Sequence, residues 1–531
     1  MRKTLFYIQL FALCCTKGYT QPFVFKSVNK QLKEYTEKYD FSTPLDAYVS
    51  FQYLLANGKN SKIQSVSSYK LQSSFHKNRP DIFVSEKYKN ELLNRRIIEI
   101  ITYKDSVAAT IASYADSFYV FQYFNLENNQ WRSGGEDLAN GLPVTREKVM
   151  KNLPVRLNAL RKIIEIQNFP SDTANFVNYL KNYGKEPKQF ILDALSKHKI
   201  VIYGEIHRRK VSWQLMKDLI HDPSFPKTTG SIFMELSSDK QGALNQFFNS
   251  KKLNTEIILN IFREFQLNGW YDKGSYEFLI SLWKLNQSLP EKEKIRVILT
   301  DIPMPLSLLK TKEDYRNFRN NLKDRNEQMA DIIEYTIKTS SDKRNNLFIV
   351  GEGHASKSAA IATEGEAASR NPNAIYKHSA AFQLTERFSR YDVFSIISHS
   401  PGVTGLIRGG MFDYAFACIG NKPTAFHLQD SPFGKEVFDA FAGIAYKLET
   451  GNFENNYDGY VFLCPLEKEE ADYLLYELVT DDFVGELKRR TALLNAENEK
   501  WFGIENKNLT KKAIIKDLKN STKSNKRWKN I

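Results

Sequence analysis

Residues 199–207 read KIVIYGEIH, and residues 346–354 read NLFIVGEGH. Each segment is a run of apolar and β-branched residues that ends in Gly-Glu-x-His, a pattern typical of a buried strand with a carboxylate and an imidazole at its C-terminal end. In open α/β sheets, ligands bind at the carboxyl ends of the strands. The two segments therefore predict one site that is built from both.

Further short apolar runs follow the same pattern, at residues 231–235 (SIFME), 295–301 (IRVILTD), 392–398 (DVFSIIS) and 459–464 (GYVFLC). Helical patterns separate them, over residues 211–219, 244–265, 276–285 and 313–339. Short buried strands that alternate with helices predict an α/β domain over residues 185–466, with a mainly parallel sheet flanked by helices. A loop rich in Gly, Glu, Ser and Asn is predicted over residues 362–373.

The preceding residues, 22–165, have a different pattern. Helices are predicted over residues 24–39 and 44–55, and β-rich runs over residues 96–103, 106–113 and 117–124. Helices followed by a curved antiparallel sheet indicate a smaller α+β domain. In pattern, this segment resembles the cone-shaped domain of the nuclear transport factor and SnoaL-like families. A helical linker is predicted over residues 146–166.

The N-terminus resembles a secretory signal peptide over residues 1–20, with Arg2 and Lys3 followed by an apolar stretch too short to span a bilayer. We therefore expect an exported protein, periplasmic or secreted. A lipid anchor on Cys14 or Cys15 is the alternative, although Leu13 is larger than the residue that lipoprotein signals prefer before the cysteine. Residues 467–531 are predicted to form a helical C-terminal extension with a basic tail.

Removal of the signal peptide would leave two cysteines, Cys418 and Cys464. Two cysteines allow one disulfide but no disulfide framework. Both lie in apolar sequence, which indicates two buried free thiols as the alternative to a disulfide.

The formal net charge of +14 is concentrated at the chain ends. Residues 1–20 carry +3 and residues 507–531 carry +8, which leaves +3 for the rest. The tail also lacks the interleaved aromatic residues that stack on bases, so no specific nucleic-acid binding is expected. The tail is instead predicted to be solvated or to contact an anionic envelope surface. The oligomeric state is left open.

Ionisable residues are concentrated where the predicted strands end: Glu205, His207, Glu235, Asp301, Glu352, His354 and His399. Two mechanisms fit imidazoles and carboxylates at one edge of a sheet. A divalent metal held by two histidines and a carboxylate would activate water, or a histidine would act directly as a general base. The chain contains no HExxH, GxSxG, Walker or GxGxxG motif, which argues against a standard zinc protease, a serine hydrolase and a nucleotide-binding protein.

The paired motifs, in this order and with an acidic residue after an intermediate strand, resemble the erythromycin-esterase, ChaN and Tiki/TraB superfamily. The resemblance covers roughly residues 185–466 and includes the last strand, YDGYVF at residues 457–462. It implies that His207, Glu235 and His354 line the site, with Glu205 and Asp301 close by. Arg208 stands where the esterase branch has a glycine.

Three functions follow from the resemblance and the residues. The first is an exported hydrolase that acts on an ester or amide bond of a small molecule or peptide, with His207, Glu235 and His354 either activating water directly or holding a divalent metal. The second is a haem-binding or metal-binding envelope protein of the ChaN kind, in which Tyr203, Tyr271 and the histidines face an iron. The third is a non-catalytic interaction protein with a degenerate site.

Overall fold

A computed structural model describes residues 24–67, 81, 83–103, 107–114, 118–136, 173–264, 272–357, 360–361, 377–402, 406–438, 451–472, 475–494, 500–501 and 504–522. The chain divides into two compact units, Met1–Glu165 and Ile166–Ile531. The predicted signal peptide with Cys14 and Cys15, the linker over residues 146–166, the loop over residues 362–373 and Tyr271 lie outside the described residues.

The described residues of the first unit contain an antiparallel sheet in the order β1-β2-β3-β4-β5. Its strands are β1 (Val24–Gln31), β2 (Arg96–Tyr103), β3 (Val107–Tyr114), β4 (Phe118–Glu127) and β5 (Gln130–Glu136). Its helices are α1 (Pro44–Ala56), α2 (Asn60–Val66) and α3 (Glu86–Leu93). The core includes Tyr48 and Val49 of α1, packed with Ile97, Ala108 and Phe124 of the sheet. The likeness to a cone-shaped domain stays a prediction.

One element of this unit was predicted wrongly. The apolar spacing of Val24, Val28 and Leu32 suits a helix, but residues 24–31 form strand β1, which pairs antiparallel with β2 and has an irregular register between Ser27 and Lys30. The edge of β2 supplies backbone partners that a local pattern does not reveal. The helix predicted over residues 44–55 is confirmed, because α1 begins at Pro44 behind the N-cap Thr43.

The described residues of the second unit contain a seven-stranded sheet in the order β13-β14-β12-β6-β9-β7-β8. The strands along the chain are β6 (Ile200–Glu205), β7 (Thr229–Ser237), β8 (Arg296–Asp301), β9 (Asn345–Gly351), β10 (Ala360–Ile361), β11 (Lys377–His378), β12 (Val393–Ser398), β13 (Thr424–His427), β14 (Gly459–Phe462), β15 (Lys500–Trp501) and β16 (Ile504–Glu505). Neighbouring strands of the large sheet run parallel, except for β13, which is antiparallel to β14.

The helices of the second unit follow in chain order: α4 (Ala174–Tyr183), α5 (Pro187–Lys197), α6 (Lys210–Ile220), α7 (Phe225–Thr228), α8 (Gln241–Asn249), α9 (Thr255–Glu264), α10 (Lys273–Ser288), α11 (Lys312–Asn320), α12 (Arg325–Thr339), α13 (Glu352–Ala355), α14 (Ala380–Arg387), α15 (Met411–Cys418), α16 (Phe453–Asn456), α17 (Asp481–Leu494) and α18 (Lys511–Thr522). The α/β fold predicted from the sequence is confirmed.

The central strand β6 shows why the sheet is buried on both faces. Its residues alternate between two hydrophobic cores, with Val201 and Tyr203 in one and Ile200 and Ile202 in the other. Successive side chains of a strand point to opposite faces, so a continuous apolar run fits a sheet covered on both sides. This burial holds the carboxyl ends of β6, β9, β7 and β8 side by side.

Two predicted helices are each divided in the structure. The run over residues 244–265 forms α8 and α9, and the run over residues 313–339 forms α11 and α12. The second break follows from Asp324, whose side chain accepts the backbone N–H of Glu327 at 3.0 Å and caps α12. As a result, Arg325 and Asn326 stand in the first turn of a helix instead of its middle.

The sequence left two arrangements open for Cys418 and Cys464, a disulfide or two buried free thiols. Cys418 and Cys464 are both free thiols. Cys418 is exposed and Cys464 is intermediate in exposure, so the expectation of two buried thiols was wrong for Cys418, which is the last residue of α15. Among the residues that the structure describes, no helix is long and apolar enough to cross a membrane.

Candidate active site

The five predicted site residues lie at one edge of the sheet. Glu205 and Asp301 are the last residues of β6 and β8, and Glu235 lies near the end of β7. His207 follows β6, and His354 lies in the short helix α13 that follows β9. Because β6, β9, β7 and β8 are consecutive in the sheet, their carboxyl ends bring these side chains together.

Glu205 orients His207. The carboxylate oxygen Oε1 accepts a hydrogen bond from His207 Nδ1. The Glu205 side chain is buried, whereas the His207 side chain is 35% exposed. Burial lowers the pKa of His207, but the charge of Glu205 and its hydrogen bond outweigh that effect and raise the pKa to about 9. His207 is therefore an imidazolium at neutral pH.

Gly351 lets His207 approach the end of β9. A Cβ atom at this position would lie 3.1 Å from His207 Cε1, 3.3 Å from His207 Nε2 and 3.3 Å from Glu235 Oε2. Any larger residue would thus press on the imidazole and on the carboxylate. The backbone N–H of Gly351 also donates to Glu235 Oε2 at 2.7 Å. Gly351, the glycine of the second motif, therefore leaves room at the end of β9 for His207 of the first motif and for Glu235.

Arg325 binds the two buried carboxylates of β7 and β8. Its Nε and Nη2 donate to Asp301 Oδ1 and Oδ2 at 2.7 and 2.6 Å, and Nη2 also donates to Glu235 Oε1. Burial would raise the pKa of Glu235, but Arg325 and then His354 and His207 lower it to about 2. Glu235 is therefore a fixed negative charge throughout the neutral range.

His354 has the opposite environment to His207. Its Nδ1 lies 2.7 Å from Asn326 Oδ1, which also accepts the backbone N–H of Ala380 at 3.0 Å. Since that oxygen accepts, His354 Nδ1 donates, and Nε2 of the neutral ring carries a lone pair. Nε2 lies 3.5 Å from Glu235 Oε1. Burial is the largest cause that lowers the pKa of His354 below its ordinary value, so the ring is neutral at pH 7.

A second pair of buried carboxylates lies near Glu205. Asp272 caps α10 by accepting the backbone N–H of Ser275 at 2.7 Å, and Asp472 accepts the backbone N–H of Gly274 at 2.6 Å. Burial raises the pKa of Asp272 to about 7, and the charges of Asp472 and Glu205 add to that rise. The sequence analysis did not identify either aspartate, although Asp272 has the position of an N-cap before a helical run.

Two further functional residues were also missed. Arg325 and Asn326 lie within the charged run that was predicted as one helix over residues 313–339. The one signal in the sequence is Asp324 directly before them, since aspartate is a preferred N-cap. His399 lies outside this group, because it is buried between the Tyr460 hydroxyl at 2.8 Å and Asp413 at 3.2 Å.

The predicted metal set, His207, His354 and Glu235, does not fit a divalent cation in this arrangement. Arg325 already binds the Glu235 carboxylate, and the Nδ1 of His207 is bonded to Glu205. A metal ligand must be a deprotonated imidazole or an available carboxylate. Among the described residues, no group of three or more His, Cys, Asp or Glu side chains is arranged to hold a metal ion.

Tyr203, one of the residues that the haem hypothesis places against an iron, lies inside the domain. Tyr203 is completely buried in β6, and its hydroxyl accepts a hydrogen bond from Ser398 at 2.8 Å. A side chain enclosed in the core cannot face an iron in a surface site. Tyr271, the other tyrosine of that hypothesis, lies outside the described residues.

No protein-family model matches the chain, and no curated protein matches it. It is similar to the solved structure of a succinoglycan biosynthesis protein, with a TM-score of 0.40, 11% identity and coverage of 56% of this chain and 98% of that chain. It is similar to an erythromycin esterase mutant, EreC, in its open conformation, with a TM-score of 0.35, 11% identity and coverage of 51% and 92%.

A third similar structure is ChaN of Campylobacter jejuni with cofacially bound haem, at a TM-score of 0.26, 14% identity and coverage of 42% of this chain and 89% of that chain. The matches thus include an erythromycin esterase and a ChaN, two of the groups that the paired motifs resemble. At these identities and TM-scores, the likeness carries no inference about activity.

Proposed function

We propose that this protein is a metal-independent hydrolase of an ester or amide bond, with His354 as the general base and His207 as the general acid. The observation that carries the proposal is that two histidines at one sheet edge have opposite partners: His207 Nδ1 is bonded to the Glu205 carboxylate and His354 Nδ1 to the neutral Asn326 amide, which raises the pKa of His207 and leaves that of His354 lowered by burial. Titratable groups whose environments separate their pKa values are typical of acid and base assignments. Each histidine has one nitrogen oriented by a hydrogen bond, His207 by Glu205 and His354 by Asn326.

The base step follows from the position of His354. Its Nε2 lone pair takes a proton from a water molecule, which attacks the acyl carbon of the substrate. The imidazolium that forms lies 3.5 Å from the fixed negative charge of Glu235, which stabilises it. Asn326 keeps the ring in the reactive tautomer by accepting the Nδ1 proton. The His354 side chain is 19% exposed, so a water molecule can reach it.

The acid step follows from the charge of His207. Its Nε2–H donates its proton to the leaving oxygen or nitrogen as the bond from that atom to the acyl carbon breaks. Glu205 holds the ring through Nδ1 and keeps it charged below a pH of about 9. The proton that His354 took from water then passes to His207. This transfer restores the starting protonation of both histidines.

Arg325 acts as a positioning residue in this mechanism. It holds Glu235 and Asp301 in fixed positions through charge-assisted hydrogen bonds from one guanidinium. Without it, the two buried carboxylates would repel each other and the pKa of Glu235 would rise, because burial raises this pKa and Arg325 is the largest cause that lowers it. The charge opposite His354 therefore depends on Arg325.

The site gives less support to the two alternative functions, which are a haem-binding or metal-binding protein and a non-catalytic interaction protein. Haem binding of the ChaN kind loses one of its proposed ligands, since Tyr203 is buried, and it keeps His207 and His354 as candidate iron ligands. A degenerate, non-catalytic site would not require a separation of the two histidine pKa values. Export to the periplasm or medium, and contact of the basic tail with an anionic surface, stay proposals that rest on the chain ends.

The test compares hydrolysis of two activated substrates, 4-nitrophenyl butyrate and leucine 4-nitroanilide, by the purified full chain. His354→Gln is expected to lower kcat/KM about 10²-fold or more. The matched control is His221→Gln, the same change at an exposed histidine bonded to Ser281, and it should leave the rate unchanged. Full activity in His354→Gln, or no turnover by the unmodified chain, would contradict the proposal.

A further inference from the structure

Four consecutive basic residues follow Ile206, and three of them pair with a carboxylate: His207 with Glu205, Arg209 with Glu469 and Lys210 with Glu470. Arg208 is different. Within the described part of the chain, its side chain makes no ion pair, and its Nε atom is buried with no hydrogen-bond partner. Burying a guanidinium nitrogen without a hydrogen-bond acceptor costs free energy. A bound anion from outside the protein would supply that acceptor to Arg208.

The backbone of Arg208 adds to this contrast. Its φ of +67° lies in the left-handed region, which glycine adopts freely and which disfavours residues with a Cβ. The conformation is held from both sides, because Arg208 O accepts the N–H of Asp472 at 2.8 Å and Arg209 forms an antiparallel bridge with Ala471. An arginine therefore stands where the fold by itself favours glycine.

The two neighbouring guanidinium groups each pair with a carboxylate. Arg209 is completely buried and pairs with Glu469, although its Nε and Nη1 also lack a hydrogen-bond partner, and Arg325 binds Glu235 and Asp301. Arg208 directly follows His207, whose Nε2 faces the reactants in the proposed mechanism. A guanidinium presents a rigid fork of donors that matches the oxygens of a carboxylate or a phosphate. A cation at this position would fix an anionic group close to the reacting bond.

We propose that Arg208 binds an anionic group of the substrate, so that the preferred substrates are esters or amides that carry a carboxylate or a phosphate near the scissile bond. This inference rests on the proposed hydrolase function and names its substrate class. The chemistry shared by the two candidate groups is a compact oxyanion that accepts two parallel N–H bonds.

The first test measures substrate preference. The ratio of kcat/KM for mono-4-nitrophenyl succinate, which is anionic, to that for the neutral 4-nitrophenyl butyrate is determined for the full chain and for Arg208→Gly. We expect the ratio to fall about tenfold or more in Arg208→Gly and to fall less in Arg208→Lys, which keeps the charge but loses the fork. Because glycine suits the positive φ, Arg208→Gly should not lower the melting temperature, which separates lost binding from misfolding.

The matched control is Arg408→Gly. Arg408 also has a positive φ, of +53°, but it pairs with Glu436, so the preference ratio should stay that of the unmodified chain. An equal loss of activity on both esters in Arg208→Gly, with an unchanged ratio, would overturn the proposal. It would show that Arg208 does not recognise the anionic group.

The second test does not need turnover and so separates this inference from the hydrolase proposal. Binding of succinate and of inorganic phosphate to the His354→Gln full chain is measured by isothermal titration calorimetry, with and without Arg208→Gly. Binding that weakens about tenfold in the double variant supports the subsite even if the unmodified chain hydrolyses neither ester. Tighter binding of phosphate than of succinate would assign the site to phosphorylated substrates. Binding of neither anion, or equal binding by both variants, would overturn it.

Discussion

Asn326 Oδ1 lies 2.7 Å from His354 Nδ1 and 3.0 Å from the backbone nitrogen of Ala380. One amide oxygen thus accepts from the imidazole and from the first turn of α14. Because the Ala380 N–H can only donate, the orientation of the Asn326 amide is fixed, and with it the tautomer of His354. The lone pair on His354 Nε2 thus depends on α12, which carries Asn326, and on α14, which begins at Ala380.

The charge at position 326 should set the acidic limb of the activity profile. Asn326→Asp keeps the acceptor for Ala380 but places a carboxylate beside His354, which stabilises the imidazolium and raises its pKa. A base must be deprotonated, so activity is lost as the pH falls through that pKa. We expect the acidic limb of kcat/KM to move upward by about one unit or more. An acidic limb at its original pH would contradict the role of His354.

Glu205 should set the alkaline limb. The acid, His207, must be protonated, so activity is lost as the pH rises through its pKa of about 9. Glu205→Gln removes the charge that raises this pKa, while burial still lowers it. The alkaline limb of kcat/KM should therefore move well below pH 9. Glu470→Gln, which changes the exposed partner of Lys210, is the matched control and should leave the limb in place.

Arg325 should contribute strongly to stability. Its loss in Arg325→Met removes the charge that binds both buried carboxylates, Glu235 and Asp301, which we expect to lower the free energy of unfolding by about 3–5 kcal/mol. Urea denaturation measures this loss. Arg325→Lys keeps a charge and should lose less. A loss below about 1 kcal/mol in Arg325→Met would mean that the two carboxylates find another partner.

The buried pair of Arg209 and Glu469 gives a second stability prediction with its control next to it. Both side chains are completely buried. Glu469→Ala therefore leaves the Arg209 guanidinium buried without its carboxylate partner and should lower the free energy of unfolding by about 3–5 kcal/mol. The adjacent Glu470 pairs with Lys210, and both of those side chains are more than half exposed. Glu470→Ala should therefore cost less than about 1 kcal/mol. Similar losses in the two variants would refute this assignment.

Chelation should have no effect if the site works without a metal. We expect EDTA followed by gel filtration to leave both the melting temperature and kcat/KM unchanged, because a ligand that binds only the folded state would stabilise it and its removal would be visible. A melting temperature that falls on chelation and recovers with one added divalent metal would restore the metal hypothesis.

The sequence was sufficient for the six parallel strands of the large sheet and for the residues that end them. Buried parallel strands are continuous apolar runs, and the residue after such a run lies at a known edge of the sheet, which is why Glu205, His207 and His354 could be placed together. The strand β1 could not be recognised, because its partners lie on β2 and its own apolar spacing suits a helix.

The partners of those residues could not be predicted. Arg325 and Asn326 are positioned by a helix break that depends on Asp324 as a cap and on the two carboxylates that Arg325 binds. A charged helical run shows no such break. Asp472 reaches the site through the backbone of Arg208, which is a contact between segments far apart in the chain. The ends of the strands can be recognised from a short stretch of sequence. The pKa values of the site residues depend on partners that are far away in the chain, as Arg325 is from Glu235.

The proposed mechanism requires the two histidines to differ in charge at neutral pH. The most direct measurement is an NMR titration of the ¹³C and ¹⁵N imidazole signals of the full chain, assigned with His207→Gln and His354→Gln. We expect a pKa of about 9 for His207 and a pKa below the ordinary value of about 6.5 for His354. Two histidines that both titrate near 6.5, or a His354 that titrates above His207, would contradict it.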